Sequence, residues 1–205
     1  MTSYNILKNI VTPEFDYNIL TSNLKEYNFP RNKIHSLLKS GEILRIKKGF
    51  YVKSEADYDH FVVANMIYGP SYISEDSALA YYGLIPERVE ATTSVTLKRG
   101  KEFTTPIGEF IYTPALKKCY SFGIRRVEID SQRAFLIASP EKALFDRLVH
   151  VPGIDSPEYL HEYLFKNMRL LEGEHFNESE LIKLHKVSQK SFCKSLIDVL
   201  KRSPG

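Results

Sequence analysis

The sequence predicts an α+β fold: a small N-terminal helical segment closed by a β-hairpin, then a larger mixed α/β domain with a helical C-terminus. Three observations carry this prediction. The apolar spacing changes from helical to alternating near residue 43, where two short runs flank Lys48-Gly49. The stretch from Ser94 to Ile137 reads as strands separated by Gly, Pro and charged turns. After it, the string Ser-Pro-Glu occurs twice, at 139–141 and 156–158, each time as a helix start.

Taken in order, Ser3–Ile10 reads as a short helix with Ile6, Leu7 and Ile10 on one side. Tyr17–Leu20 reads as extended, and Thr21 as the cap of a helix over Ser22–Tyr27. Asn28-Phe29-Pro30 turns the chain into a helix over about Arg31–Ser40. Pro30 sits at its first turn, where a missing N–H costs nothing, and Gly41 follows as the terminating residue. Ile43–Lys47 and Phe50–Val52 then form the hairpin. Helix, short strand, helix, turn, helix, hairpin is the order of a winged helix-turn-helix, assigned to residues 1–55.

Residues 56–205 form the second domain. Tyr58–Tyr68 is predicted helical, with Phe61, Ala64, Met66 and Ile67 as its apolar residues, and Gly69-Pro70 stops it. Ser74 is predicted to cap a helix running to Tyr82 and ending at Gly83. Ser94–Leu97, Gly108–Tyr112, Arg126–Ile129 and Arg133–Ile137 are predicted strands. The tail, Ser156–Arg202, is predicted helical in two or three pieces.

Composition sets the broad class. Apolar residues make up 43% of the 205 and charged residues 26%, an ordinary globular balance. No apolar run approaches the ~18 residues needed to span a bilayer. Met1–Ile10 lacks the basic and apolar regions of a secretory signal, so a cytoplasmic location is expected. Cys119 and Cys193 form no CxxC pair and are expected to be reduced and buried. The net charge of +3 is unevenly spread. Between residues 29 and 53, Arg31, Lys33, Lys39, Arg45, Lys47, Lys48 and Lys53 face one acid, Glu42, whereas residues 56–205 are nearly balanced. A local basic face beside a neutral remainder fits a polyanion-binding module.

The second helix of the predicted helix-turn-helix is the most informative segment. Ile34, Leu37 and Leu38 share one face, so the other presents Asn32, His35, Ser36 and Lys39, with Arg31 and Lys33 beside its N-terminal end. In this motif that helix enters the major groove of double-stranded DNA, where Asn pairs with adenine and Lys or Arg with guanine. Strand alternation sends Arg45 and Lys47 to one side of the hairpin, with Lys48 at its tip, to straddle phosphates. The competing reading is a solvated polar face, or a basic wing that docks an acidic protein.

Enzymatic signatures are sparse. His161-Glu162 opens like HExxH, but position 165 is Phe. No phosphate-binding glycine loop occurs, and the histidines at 35, 60, 150, 161, 175 and 185 show no metal-ligand spacing. Ser74-Glu75-Asp76 is explained by helix capping. Among Glu141, Lys142 and Asp146, the i,i+4 pair Lys142–Asp146 reads as a solvated salt bridge. No catalytic residue, metal or cofactor is therefore expected.

The string Ile34-His35-Ser36-Leu37-Leu38-Lys39-Ser40-Gly41-Glu42-Ile43-Leu44-Arg45-Ile46-Lys47-Lys48-Gly49-Phe50-Tyr51-Val52 resembles the winged-helix half of AbiEi-type antitoxins of type IV toxin–antitoxin systems. The resemblance continues through Tyr68–Ser74, Ser77-Ala78-Leu79, Tyr82–Glu87, Thr93–Thr96, Gly108–Tyr112 and Ser139–Asp146, covering roughly residues 17–148. It implies a transcriptional repressor that binds promoter repeats, and an antitoxin that opposes a nucleotidyltransferase-like toxin without a stable complex. The alternatives are a second domain that is an enzyme acting on the toxin or a nucleic acid, and an interaction scaffold.

Overall fold

The computed structural model describes residues 3–86, 90–171 and 176–202; Glu87 and His175 lie outside the described residues. The chain opens with helix α1 (Ser3–Asn9), strand β1 (Glu14–Asp16), helices α2 (Tyr17–Ser22) and α3 (Pro30–Lys39), and the hairpin β2 (Ile43–Lys47) and β3 (Phe50–Lys53). These strands form an antiparallel sheet in the order β1-β3-β2.

One expectation is displaced here. Tyr17–Leu20 is helical rather than extended, and the strand lies just before it. Asp16 decides the matter: its carboxylate accepts the Ile19 N–H at 2.8 Å and caps α2. Thr21 lies inside that helix, its hydroxyl turned back to the Tyr17 and Asn18 carbonyls, and no helix follows over Ser22–Tyr27. The strand itself is fixed by Phe15, fully buried and stacked on Tyr51 across the β1–β3 pair.

Ile6, Ile10, Phe15, Leu20, Leu24, Ile34, Leu37, Ile43 and Tyr51 make one apolar core. Ile46, Phe50 and Val52 of the same hairpin belong instead to the larger core of the rest of the chain. The hairpin is thus packed on both sides. A polar clamp reinforces the joint: Glu14 is buried, accepts the Asp59 N–H at 2.8 Å and lies 3.5 Å from the Arg133 guanidinium.

The larger part contains α4 (His60–Ile67), β4 (Ser71–Ile73), α5 (Glu75–Tyr81), β5 (Ala91–Thr96), β6 (Lys101–Thr105), β7 (Gly108–Pro114), β8 (Ile124–Glu128) and β9 (Ala134–Ala138). Helices α6 (Pro140–Leu148), α7 (Pro157–Glu162), α8 (Glu178–Ser188) and α9 (Phe192–Arg202) follow, a π-helical turn extending α7 over Tyr163–Asn167. The six strands run in the order β6-β7-β5-β4-β9-β8, parallel between β5 and β7 and between β4 and β9. Both Ser-Pro-Glu starts are caps, Ser139 accepting from the Lys142 N–H and Ser156 from that of Tyr159. Strands β4 and β6 carried no sequence signal: β4 has three residues, and β6 is a polar edge strand with only Phe103 and Thr105 half-buried. Among the described residues no helix is long and apolar enough to cross a membrane.

Candidate nucleic-acid interface

Helix α3 is placed by its own apolar side. Ile34 and Leu37 are buried and Leu38 half-buried, which leaves Arg31, Asn32, His35, Ser36 and Lys39 exposed. Lys33 is half-buried and leans back, its ammonium 6.0 Å from the Tyr27 ring centroid. The helix ends where the Gly41 and Glu42 N–H groups bond the Leu38 and Leu37 carbonyls. Gly41 supplies the positive φ of 74° that this ending requires. Phe29, just before the helix, is 72% exposed, a large apolar side chain beside the same polar face. Sequence reasoning treated it only as part of a turn.

The hairpin divides its cations. Arg45 and Lys48 are exposed, and the turn beside Lys48 is fixed by the Tyr17 N–H, which donates to the Gly49 carbonyl at 2.9 Å. A bulge between Arg45 and Lys47 breaks the alternation that put both on one side. Lys47 is half-buried and donates to the Ile67 carbonyl at the end of α4. Burial lowers its pKa, and the charges of Lys98 and Lys101 lower it further. Among the described residues, none of Arg31, Lys33, Lys39, Arg45, Lys47 and Lys48 is paired with a carboxylate. The exposed groups form a polar and cationic surface.

The chain matches no known protein-family model and no curated protein.

A second polar centre lies in the larger core. Lys142 and Asp146 form an ion pair that is fully buried rather than solvated, because α6 packs this side against the sheet. The Tyr72 hydroxyl and Ser74 Oγ donate to Asp146 Oδ2 at 2.9 and 2.8 Å. Ser74 occupies the cap position of α5, yet its hydroxyl makes no capping bond and serves Asp146 instead. The Lys142 ammonium lies between the Tyr72 and Phe145 rings, 5.3 and 5.4 Å from their centroids. Gly123 closes the other side: a Cβ there would stand 2.9 Å from that of Lys142. Glu141 is buried apart from this centre, accepting the Asn177 N–H at 2.7 Å.

Glu75, at the start of α5, has a left-handed backbone, φ 54°, an arrangement that costs on the order of 1–3 kcal/mol outside glycine. Burial, then the Asp146 charge, push its pKa up to about 7, against the Thr113 hydroxyl at 3.3 Å and the Arg147 charge. Asp76 next to it pairs with Arg147 at 3.0 Å on the rim of a cavity of about 360 Å3, with Glu90, Tyr163 and Asn167 around it. Between the ordinary value of 4.5 and about 7, the unfolded chain has released the Glu75 proton and the folded chain has kept it. Stability therefore falls as pH rises through that window, by about 3 kcal/mol in all. Thermal melts of Glu75→Gln should show this slope flattened and the protein stabilised above pH 7. A variant that keeps the wild-type slope assigns the pH dependence to other groups.

His161 packs on Phe165, with 4.8 Å between ring centroids. Among the described residues no group of three His, Cys, Asp or Glu side chains is arranged to hold a metal.

Proposed function

We propose that this protein is a double-stranded DNA-binding repressor whose N-terminal segment is a winged helix-turn-helix, acting as an AbiEi-type antitoxin of a type IV toxin–antitoxin system. The observation that carries the DNA reading is the exposed set Arg31, Asn32, His35, Ser36 and Lys39 on α3, beside Arg45 and Lys48 on the hairpin. A helix with its apolar side buried and its polar side free is what a major groove accepts. Arg45 and Lys48 suit phosphates, which set register without reading sequence. Asn32 and Lys39 suit base edges, while His35, Ser36 and Lys33 complete the helix surface.

Promoter repeats as the DNA target, and functional opposition to a nucleotidyltransferase-like toxin without a stable complex, follow from the family resemblance. This reading places the protein in the cytoplasm and gives the second domain no catalytic step. Asn32→Ala should cost ~1–3 kcal/mol in binding to DNA from the protein's own promoter, and less on random duplex. Fluorescence anisotropy on both duplexes checks this. An unchanged ratio of the two affinities for both Asn32→Ala and Lys39→Ala means that α3 positions the protein without reading bases.

A further inference from the structure

Phe29 stands directly before the proline that opens α3, and its side chain is largely exposed. Tyr27, two residues earlier, packs on the N-terminal core, whereas Phe29 belongs to neither core. Its backbone nonetheless fixes the helix start: the Phe29 carbonyl accepts the Asn32 and Lys33 N–H groups at 3.1 and 3.3 Å. The ring therefore leaves the chain at the first turn of α3, where Arg31 and Asn32 are also exposed.

A phenylalanine in this position carries two costs. The residue before a helix is ordinarily Ser, Thr, Asp or Asn, whose side chain accepts one of the free N–H groups of the first turn. Asp16, Asp59, Ser139, Ser156 and Asn177 do this for the helices that follow them. Phe29 has no acceptor, and α3 begins without a side-chain cap. The second cost is apolar surface left in water. A single exposed apolar side chain is common on any protein surface. That bland explanation covers the exposure of Phe29 but not the surrendered cap.

The major-groove edge of an A·T pair offers two kinds of contact at once, the hydrogen-bonding N6 and N7 of adenine and the apolar C5 methyl of thymine. An amide beside an aromatic ring suits that edge, and Asn32 and Phe29 supply both groups at one end of α3. We propose that Phe29 reads thymine, packing its ring on a C5 methyl in the major groove beside the base met by Asn32. This rests on the DNA-binding reading above and deepens it. Phosphate contacts set position without regard to sequence, whereas an apolar contact to a base edge distinguishes thymine from cytosine.

The test compares duplex DNA from the protein's own promoter with the same duplex carrying deoxyuridine for thymidine, which removes only the C5 methyls. The unaltered chain should bind the deoxyuridine duplex at least about fourfold more weakly, the ordinary worth of one buried methyl group. Phe29→Ser should bind the thymidine duplex about fourfold more weakly and lose nothing further on deoxyuridine. Its slope of log K against log salt should stay that of the unaltered chain, because the ring neutralises no phosphate. Its melting temperature should not fall, because serine can cap α3. Equal affinity of the unaltered chain for the two duplexes overturns the proposal, whatever the variant does. So does a deoxyuridine penalty of the same size in Phe29→Ser, or a change of oligomeric state in that variant by light scattering, which assigns the ring to a second copy of the chain. Absence of duplex binding by the unaltered chain overturns the DNA-binding reading itself.

Discussion

Replacing Asp146 with alanine should lower stability by about 3–5 kcal/mol, because it leaves the Lys142 ammonium charged, buried and without its partner. Domains of this kind are stable by only about 5–15 kcal/mol, so the variant would sit near the limit of folding. The melting temperature should fall on the order of 10 °C, and Lys142→Ala should behave similarly. Replacing both members, as Lys142→Met/Asp146→Leu, should cost less than Asp146→Ala. The rescue is incomplete because the Tyr72 and Ser74 hydroxyls still lose their acceptor. Urea titrations of the three variants read these differences directly. An Asp146→Ala protein that melts with the wild type means that the centre admits water and holds nothing together.

The second large effect follows from the proposed function, a DNA-binding repressor and antitoxin. Arg31→Ala/Arg45→Ala/Lys48→Ala should weaken binding to specific and random duplexes alike and lower the salt slope by about 2.7. All three side chains are exposed and none is paired with a carboxylate among the described residues, so folding should survive. Lys47 is left in place because it donates to the Ile67 carbonyl, and its loss would mix stability with binding. In cells the variant should fail to repress its promoter. Supplied from an independent promoter, it should still oppose the toxin, with a melting curve confirming that it is folded. A folded variant with wild-type salt dependence refutes the assignment of these residues to phosphates. One that binds DNA poorly and also fails to protect joins the basic face to the antitoxic activity.

Helix α3 was legible because its two signals are local: apolar residues at helical spacing and a Pro-to-Gly frame at its ends. The hairpin strands were legible for the same reason, but the fate of Lys47 was not. A bulge of one residue reorients a side chain without leaving a mark on composition. The Lys142–Asp146 pair was misjudged for a different reason. An i,i+4 pair has the same spacing on a wet helix face as on a dry one, and only the sheet behind α6 distinguishes them. Ser74 was placed correctly as a cap position, yet the acceptor that claims its hydroxyl lies 72 residues further on. The convergence of Lys47 with Lys98 and Lys101 is likewise a product of tertiary packing, invisible to a count of charge along the chain.

The hairpin that shares its side chains between two cores also bears on how such a protein can be recombined over evolutionary time. A DNA-reading segment joined to its neighbour by a slack tether can be traded between proteins at little cost. Here the seam runs through the β2–β3 ribbon itself, with Ile43 and Tyr51 belonging to one side and Ile46, Phe50 and Val52 to the other. On the proposed DNA reading, a new specificity can therefore arise by changing the exposed residues of α3 in place. Importing a foreign reading head demands that its ribbon already match the partner's interior, so inheritance should favour the whole chain over its halves.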